Sequence, residues 1–163
     1  MAEGSRNEAA RVLFVCLGNI CRSPTAEGLL RARLAGDGLE GRVEVDSAGT
    51  GAWHVGEGPD RRMARAAERR GYRLDGAARQ VGPEDFHRFD LVVAMDRQNL
   101  ADLEAMAPSG EGGRAELRLF SEFLPAGSPV DVPDPYYGGA EGFDRVLDLV
   151  EEGCAAIVEY LRR

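Results

Sequence analysis

The sequence predicts an α/β fold three layers deep, in which a doubly wound, four-stranded parallel sheet is covered by helices on both faces. Two features carry that prediction. Short apolar runs alternate along the chain with amphipathic stretches of helical period, and one run, Val12-Leu13-Phe14-Val15, passes through a tight loop straight into a helix. Size agrees: 163 residues suffice for one well-filled core and are too few for two ordinary ones. Residues 1–10 are polar and alanine-rich and are expected to form a disordered tail, which leaves residues 11–163 as a single domain.

The first element is the buried strand over 12–15. The helix after it opens near Pro24, which a first turn tolerates, and Glu27 suits the positive end of the helix dipole. Arg42-Val43-Glu44-Val45-Asp46-Ser47 alternates polar and apolar side chains and reads as the second strand. A glycine-rich loop over 49–58 carries Trp53, the only tryptophan, and Pro59-Asp60 opens a helix that Gly71 stops. The arginine-rich run 61–70 has its Met and Ala residues at helical spacing, so it reads as a solvated helix face. Phe89 to Met95 is a third buried strand, residues 96–107 a helix, and Ala115 to Phe120 a fourth strand.

An irregular stretch with Pro125, Pro129, Pro133 and Pro135 leads to a last helix over 141–161. Its Phe143, Val146, Leu147, Val150, Ile157 and Leu161 form one apolar stripe. Gly36-Asp37-Gly38-Leu39-Glu40-Gly41 matches a dinucleotide-binding glycine pattern by letters. It follows a helix and precedes a strand, the reverse of what pyrophosphate binding needs, and reads as a turn.

A net charge of −8 argues against nucleic acid as a partner. All 20 basic residues are Arg, which excludes a lysine-based nucleotide loop. No apolar run approaches the roughly 18 residues of a membrane span, and no signal-peptide core is present. Three cysteines are too few for a secreted disulfide scaffold, so a cytoplasmic protein is expected, and separately a monomer. Cys16 and Cys21 have no matching histidine pair, since His54 and His87 stand alone, and neither a metal nor another cofactor is expected. Cys154, among the apolar residues of the last helix, reads as a core cysteine.

The most informative segment is Cys16-Leu17-Gly18-Asn19-Ile20-Cys21-Arg22-Ser23. A strand, a short loop and a helix N-terminus aim several free backbone N–H groups into one small space, which is an anion site. Ligands of parallel sheets bind at the carboxyl ends of strands, where Cys16 falls if the first strand is central. A thiol at such a place is expected to ionise readily, which makes Cys16 a candidate nucleophile, although cysteines beside core strands can also be inert. Arg22 can hold a tetrahedral oxyanion through two parallel charge-assisted bonds. Gly18 allows close backbone approach, Asn19 tolerates a left-handed conformation while its amide braces the loop, and Ser23 can donate to a thiolate. Together they point to phosphoryl transfer to sulfur.

Cys16 through Ser23 resembles the signature loop of the low-molecular-weight protein tyrosine phosphatases, down to its two cysteines. Asp134-Pro135-Tyr136-Tyr137 resembles that family's general-acid loop, and Asp46-Ser47-Ala48-Gly49, Ala78-Arg79-Gln80-Val81 and Ala94-Met95-Asp96 also fall where the family has similar sequence. The likeness covers about residues 11–161. It implies a flavodoxin-like strand order with the phosphate loop after the first strand, and a phosphotyrosine-containing protein as substrate. It also implies an inorganic phosphate or similar oxyanion in the site, and walls for the substrate cleft from Trp53, Tyr136 and Tyr137. Asp134, stiffened by Pro133 and Pro135, is the candidate acid; the alternative is an ordinary turn aspartate. Trp53 has the alternative of covering core. The resemblance further implies that Cys21 is a redox partner forming a reversible disulfide with Cys16, against simple packing. One departure is visible: many members have a histidine bracing the loop asparagine, and here Gly76 stands in its place, so either another group braces Asn19 or the loop is looser.

Three rivals are weaker. Arsenate reduction of the thioredoxin-coupled kind needs further cysteines between Cys21 and Cys154, where there are none. Related phosphoarginine phosphatases have Thr where Ile20 stands, and isoleucine better suits an aromatic ring. A non-catalytic phosphate-recognition module would need Arg22 and the loop amides but neither Cys16 nor Asp134.

Overall fold

The computed structural model describes residues 10–107 and 113–162, apart from the side chain of Tyr137, so the tail expected over 1–10 lies, except for Ala10, outside the described residues. In chain order the elements are β1 (Ala10–Cys16), α1 (Arg22–Gly36), β2 (Val43–Gly49), α2 (Arg61–Arg69), α3 (Asp85–Arg88), β3 (Leu91–Ala94), α4 (Arg97–Met106), β4 (Glu116–Leu119) and α5 (Ala140–Leu161), with 3₁₀ turns at Phe120–Phe123 and Pro135–Tyr137. Ala10 pairs with Val43 and opens β1, so the strand starts before the expected tail ends.

All strands are parallel, in the order β2-β1-β3-β4. This is the expected flavodoxin-like arrangement, and it places β1 between two neighbours. A strand covered on both faces must be apolar on both, and Val12, Leu13, Phe14 and Val15 are fully buried. Val12 and Phe14 point into a core shared with Leu30 of α1, Met63 of α2 and Val146 of α5. Leu13 and Val15 point the other way, against Phe86 of α3 and Leu103 of α4. From β1 the chain moves out to β2 at one edge of the sheet, and after β2 it returns past β1 to β3 on the opposite side of β1. The strand order therefore reverses between the carboxyl ends of β1 and β3, where a crevice must open.

Several boundaries differ from expectation for local reasons. Helix α1 starts at Arg22, ahead of Pro24, because the Cys21 carbonyl already accepts the Thr25 amide and hydroxyl. Glu27 therefore lies beyond the first turn and is buried, not poised at the dipole's positive end. Helix α2 opens at Asp60, whose carboxylate accepts the amides of Arg62 and Met63, and its arginines lie outside while Met63, Ala66 and Ala67 are buried. The stripe of α5 is buried from Phe143 to Ile157, and Cys154 sits within it as a core thiol that burial pushes well up. The short α3 and the 3₁₀ turn after β4 carry no sequence period and were not foreseen. No helix among the described residues is long and apolar enough to cross a membrane.

Gly153 of α5 lies against the ring of Phe120, and an added Cβ would meet Phe120 Cζ at 2.2 Å. Alanine is favoured over glycine in a helix by about 1 kcal/mol, but here overpacking a fully buried ring outweighs it. Gly153→Ala is expected to destabilise the protein by about 1–3 kcal/mol, read as a lower urea midpoint at unchanged slope. A raised midpoint would contradict the packing.

Candidate active site

β1 ends at Cys16 and the chain curls back over that end, with Asn19 in the left-handed region at φ 59°. The Cys16 Sγ accepts the amides of Asn19 at 3.3 Å and Ser23 at 3.4 Å, and the Ser23 hydroxyl lies 3.0 Å away. The amides of Gly18, Ile20 and Cys21 find no acceptor among the described residues. Two amides and a hydroxyl thus meet one sulfur at a helix N-terminus, and the same short loop carries further amides without an acceptor. The loop sits close on β2: a Cβ on Gly49 would meet the Leu17 carbonyl at 2.8 Å.

Asn19 is the brace, and it does not lack partners. Its Nδ2 donates to Ser23 Oγ at 2.9 Å and Ser47 Oγ at 3.0 Å, while its Oδ1 accepts the Arg79 amide at 2.9 Å. Ser47 in turn donates to Glu27 Oε1 at 2.6 Å, and Arg31 pairs with the other oxygen at 2.7 Å. Arg79 is fixed by Asp85 and Asp46. Gly76, at φ 92°, borders a cavity of about 70 Å³ also lined by Asn19, Glu27 and Ser47. With glycine at position 76, Asn19 is braced by Ser23, Ser47 and the Arg79 amide, and Ser47 is in turn held by the buried Glu27.

Arg22 lies at the floor with only 3% of its surface exposed. Its Nη1 donates to Asp96 Oδ2 at 2.6 Å and to the Val132 carbonyl at 3.0 Å, and its Nη2 lies 3.5 Å from Asp134 Oδ2. Burial opposes its charge, but Cys16, Asp96 and Asp134 outweigh burial and hold the guanidinium above its ordinary value. Asp134 is partly exposed at the mouth and caps the following turn by accepting the Tyr136 amide at 3.1 Å.

Cys16, Leu17, Gly18, Ile20, Cys21 and Arg22 line a cleft of about 360 Å³ with Trp53, His54, Asp134 and Tyr136. Trp53 is 73% exposed, which removes the alternative that it covers core. Tyr136 stacks obliquely on His54 at 5.9 Å between ring centres. The side chain of Tyr137 lies outside the described residues. Cys21 is buried in the cleft wall, and burial, with Asp60 nearby, pushes its thiol well up.

Four contributors were missed in the sequence: Asp96, His54, and the pair Ser47 and Glu27. Asp96 had a signal, since it ends a buried strand and caps the next helix through the Asn99 amide at 2.7 Å. Glu27 had a misleading one, its place near a helix start.

Burial raises Glu27 above the ordinary glutamate range, against the pull of Ser47 and Arg31. A carboxyl raised in the folded state binds more protons folded than unfolded, so its contribution to stability falls as pH rises from the ordinary value through the raised one. Glu27→Gln is expected to flatten that part of the profile when urea midpoints of both proteins are compared from about pH 4 to about pH 8. Parallel profiles would contradict a raised Glu27.

Comparison with known proteins agrees with this geometry. A low molecular weight protein-tyrosine-phosphatase of Streptomyces coelicolor is 49% identical over 154 residues, 93% of each chain. A protein tyrosine phosphatase structure from Entamoeba histolytica, with Hepes in the active site, superposes at a TM-score of 0.89, with 38% identity over 94% of this chain and 97% of that one. Drosophila arginine phosphatase has the same fold at a TM-score of 0.88, with 32% identity over 93% of this chain and 98% of its own. The family model for low molecular weight phosphotyrosine protein phosphatase matches residues 11–163, and the chain belongs to that family.

Proposed function

We propose that this protein hydrolyses phosphotyrosine in proteins, and simple aryl phosphates, through a phosphocysteine intermediate on Cys16. Cys16, Arg22 and Asp134 converge on one cleft, with two amides donating to the sulfur, and that convergence supports the reading. The Cys16 thiolate attacks phosphorus, with the Ser23 hydroxyl and two amides as donors to the sulfur. The free loop amides and Arg22 hold the equatorial oxygens of the transferring group. As the P–O bond breaks, Asp134 gives its proton to the leaving phenoxide. The resulting carboxylate then takes a proton from water as that water attacks phosphorus, which releases phosphate and restores the thiolate. The exposed Trp53 and the Tyr136 ring form an apolar slot above the anion site, deep enough to favour an aryl ester over a short alkyl one. Ile20, buried in the cleft wall, suits an aryl ring rather than a guanidinium. Cys21 is read as the neighbouring thiol that condenses with a Cys16 sulfenic acid, losing water to give a disulfide.

Cys16→Ser is expected to lower turnover by at least about 10³-fold while inorganic phosphate still binds, measured by calorimetry. Appreciable aryl phosphatase activity in that variant would remove Cys16 from the mechanism. Asp134→Asn is expected to slow phosphotyrosine peptides by about 10²–10⁴-fold and activated aryl phosphates far less, because a good leaving group needs little protonation. Equal, modest slowing of both would leave Asp134 as a turn residue.

A further inference from the structure

The first turn of α2 holds two arginines and no acidic residue, which opposes the helix dipole. Arg61 gives no reason for this, but Arg62 does. Its Nε and Nη2 fork onto the Asp60 carboxylate at 3.2 and 3.0 Å, and the same Nη2 donates to the Tyr136 carbonyl at 3.1 Å. Its guanidinium carbon also lies 5.5 Å from the centre of the Tyr136 ring and 5.0 Å from that of Phe143. Asp60 continues the connection, because its amide donates to the Ile20 carbonyl at 2.8 Å. One side chain therefore joins the turn that Asp134 caps to the loop that encloses Cys16.

We infer that Arg62 is a positioning residue, which clamps the Asp134 turn over the anion loop and so sets where the acid meets the leaving oxygen; this rests on the acid role proposed for Asp134. The side chain of Asp134 accepts the Tyr136 amide, so a shift of Tyr136 moves the carboxyl with it. Only guanidinium geometry satisfies the contacts together. A lysine is a point charge without the planar fork that reaches Asp60 and the Tyr136 carbonyl together.

The test is the leaving-group contrast in Arg62→Ala and Arg62→Lys, each alone and combined with Asp134→Asn. Arg62→Ala is expected to slow a phosphotyrosine peptide about tenfold or more and an activated aryl phosphate no more than about threefold, with inhibition by inorganic phosphate unchanged. Arg62→Lys should show the same contrast, smaller. On the Asp134→Asn background, Arg62→Ala should add no further contrast, since the group it positions is gone. The ratio of two rates in one preparation is independent of the folded fraction, so a destabilised variant remains informative. Equal slowing of both substrates, or a full additional contrast on the Asp134→Asn background, would overturn the role of Arg62. If Asp134→Asn itself showed no contrast, the acid assignment would fall and the role of Arg62 with it. That result differs from one in which Asp134→Asn shows the contrast and Arg62→Ala does not.

Discussion

A guanidinium buried at the carboxyl edge of the sheet has to be paired, and much of the site follows from that requirement. Leaving Arg22 without a partner would cost several kcal/mol, so the fold supplies Asp96 from the end of β3 and a carbonyl from the chain near Val132. These contacts join three segments far apart in sequence. They also span the crevice where the strand order reverses, so that a positive charge lines the opening that the topology creates.

The loop around Cys16 depends on a second set of constraints, all polar. Asn19 in a left-handed conformation is held from both ends of its amide, and the serines it bonds pass the connection to Cys16 on one side and to Glu27 on the other. Such a network is favourable only when each member is satisfied. Gly76 adds no side chain to it. With no side chain at that position, Ser47 and the Glu27–Arg31 pair complete the hydrogen bonding, and the Asn19 geometry is kept.

The turn that carries Asp134 is fixed differently. Pro133 and Pro135 restrict the backbone on either side of Asp134, while ring packing and one guanidinium locate the turn against α2 and α5. The site thus combines a rigid anion loop with a turn docked through a few contacts. His54 and Trp53, from the loop after β2, complete a wall that neither of those parts provides.

The sequence alone determined the alternation of strand and helix and the loop from Cys16 to Ser23, while the central place of β1 was only a condition there. Those features are local: an apolar run of four residues, a glycine and an asparagine where the backbone turns sharply, and a cysteine and an arginine at fixed spacing. Asp134 stood out through its flanking prolines and the resemblance of the motif they form, and the structure places it at the mouth of the cleft. Tertiary structure alone decided that Asp96 would neutralise Arg22, that Glu27 would turn inward to Ser47, and that Arg62 would reach Tyr136 across 74 residues. No local pattern encodes these pairings, because a charged side chain's partner is chosen by what the packed strands and helices bring within hydrogen-bond reach once water is excluded.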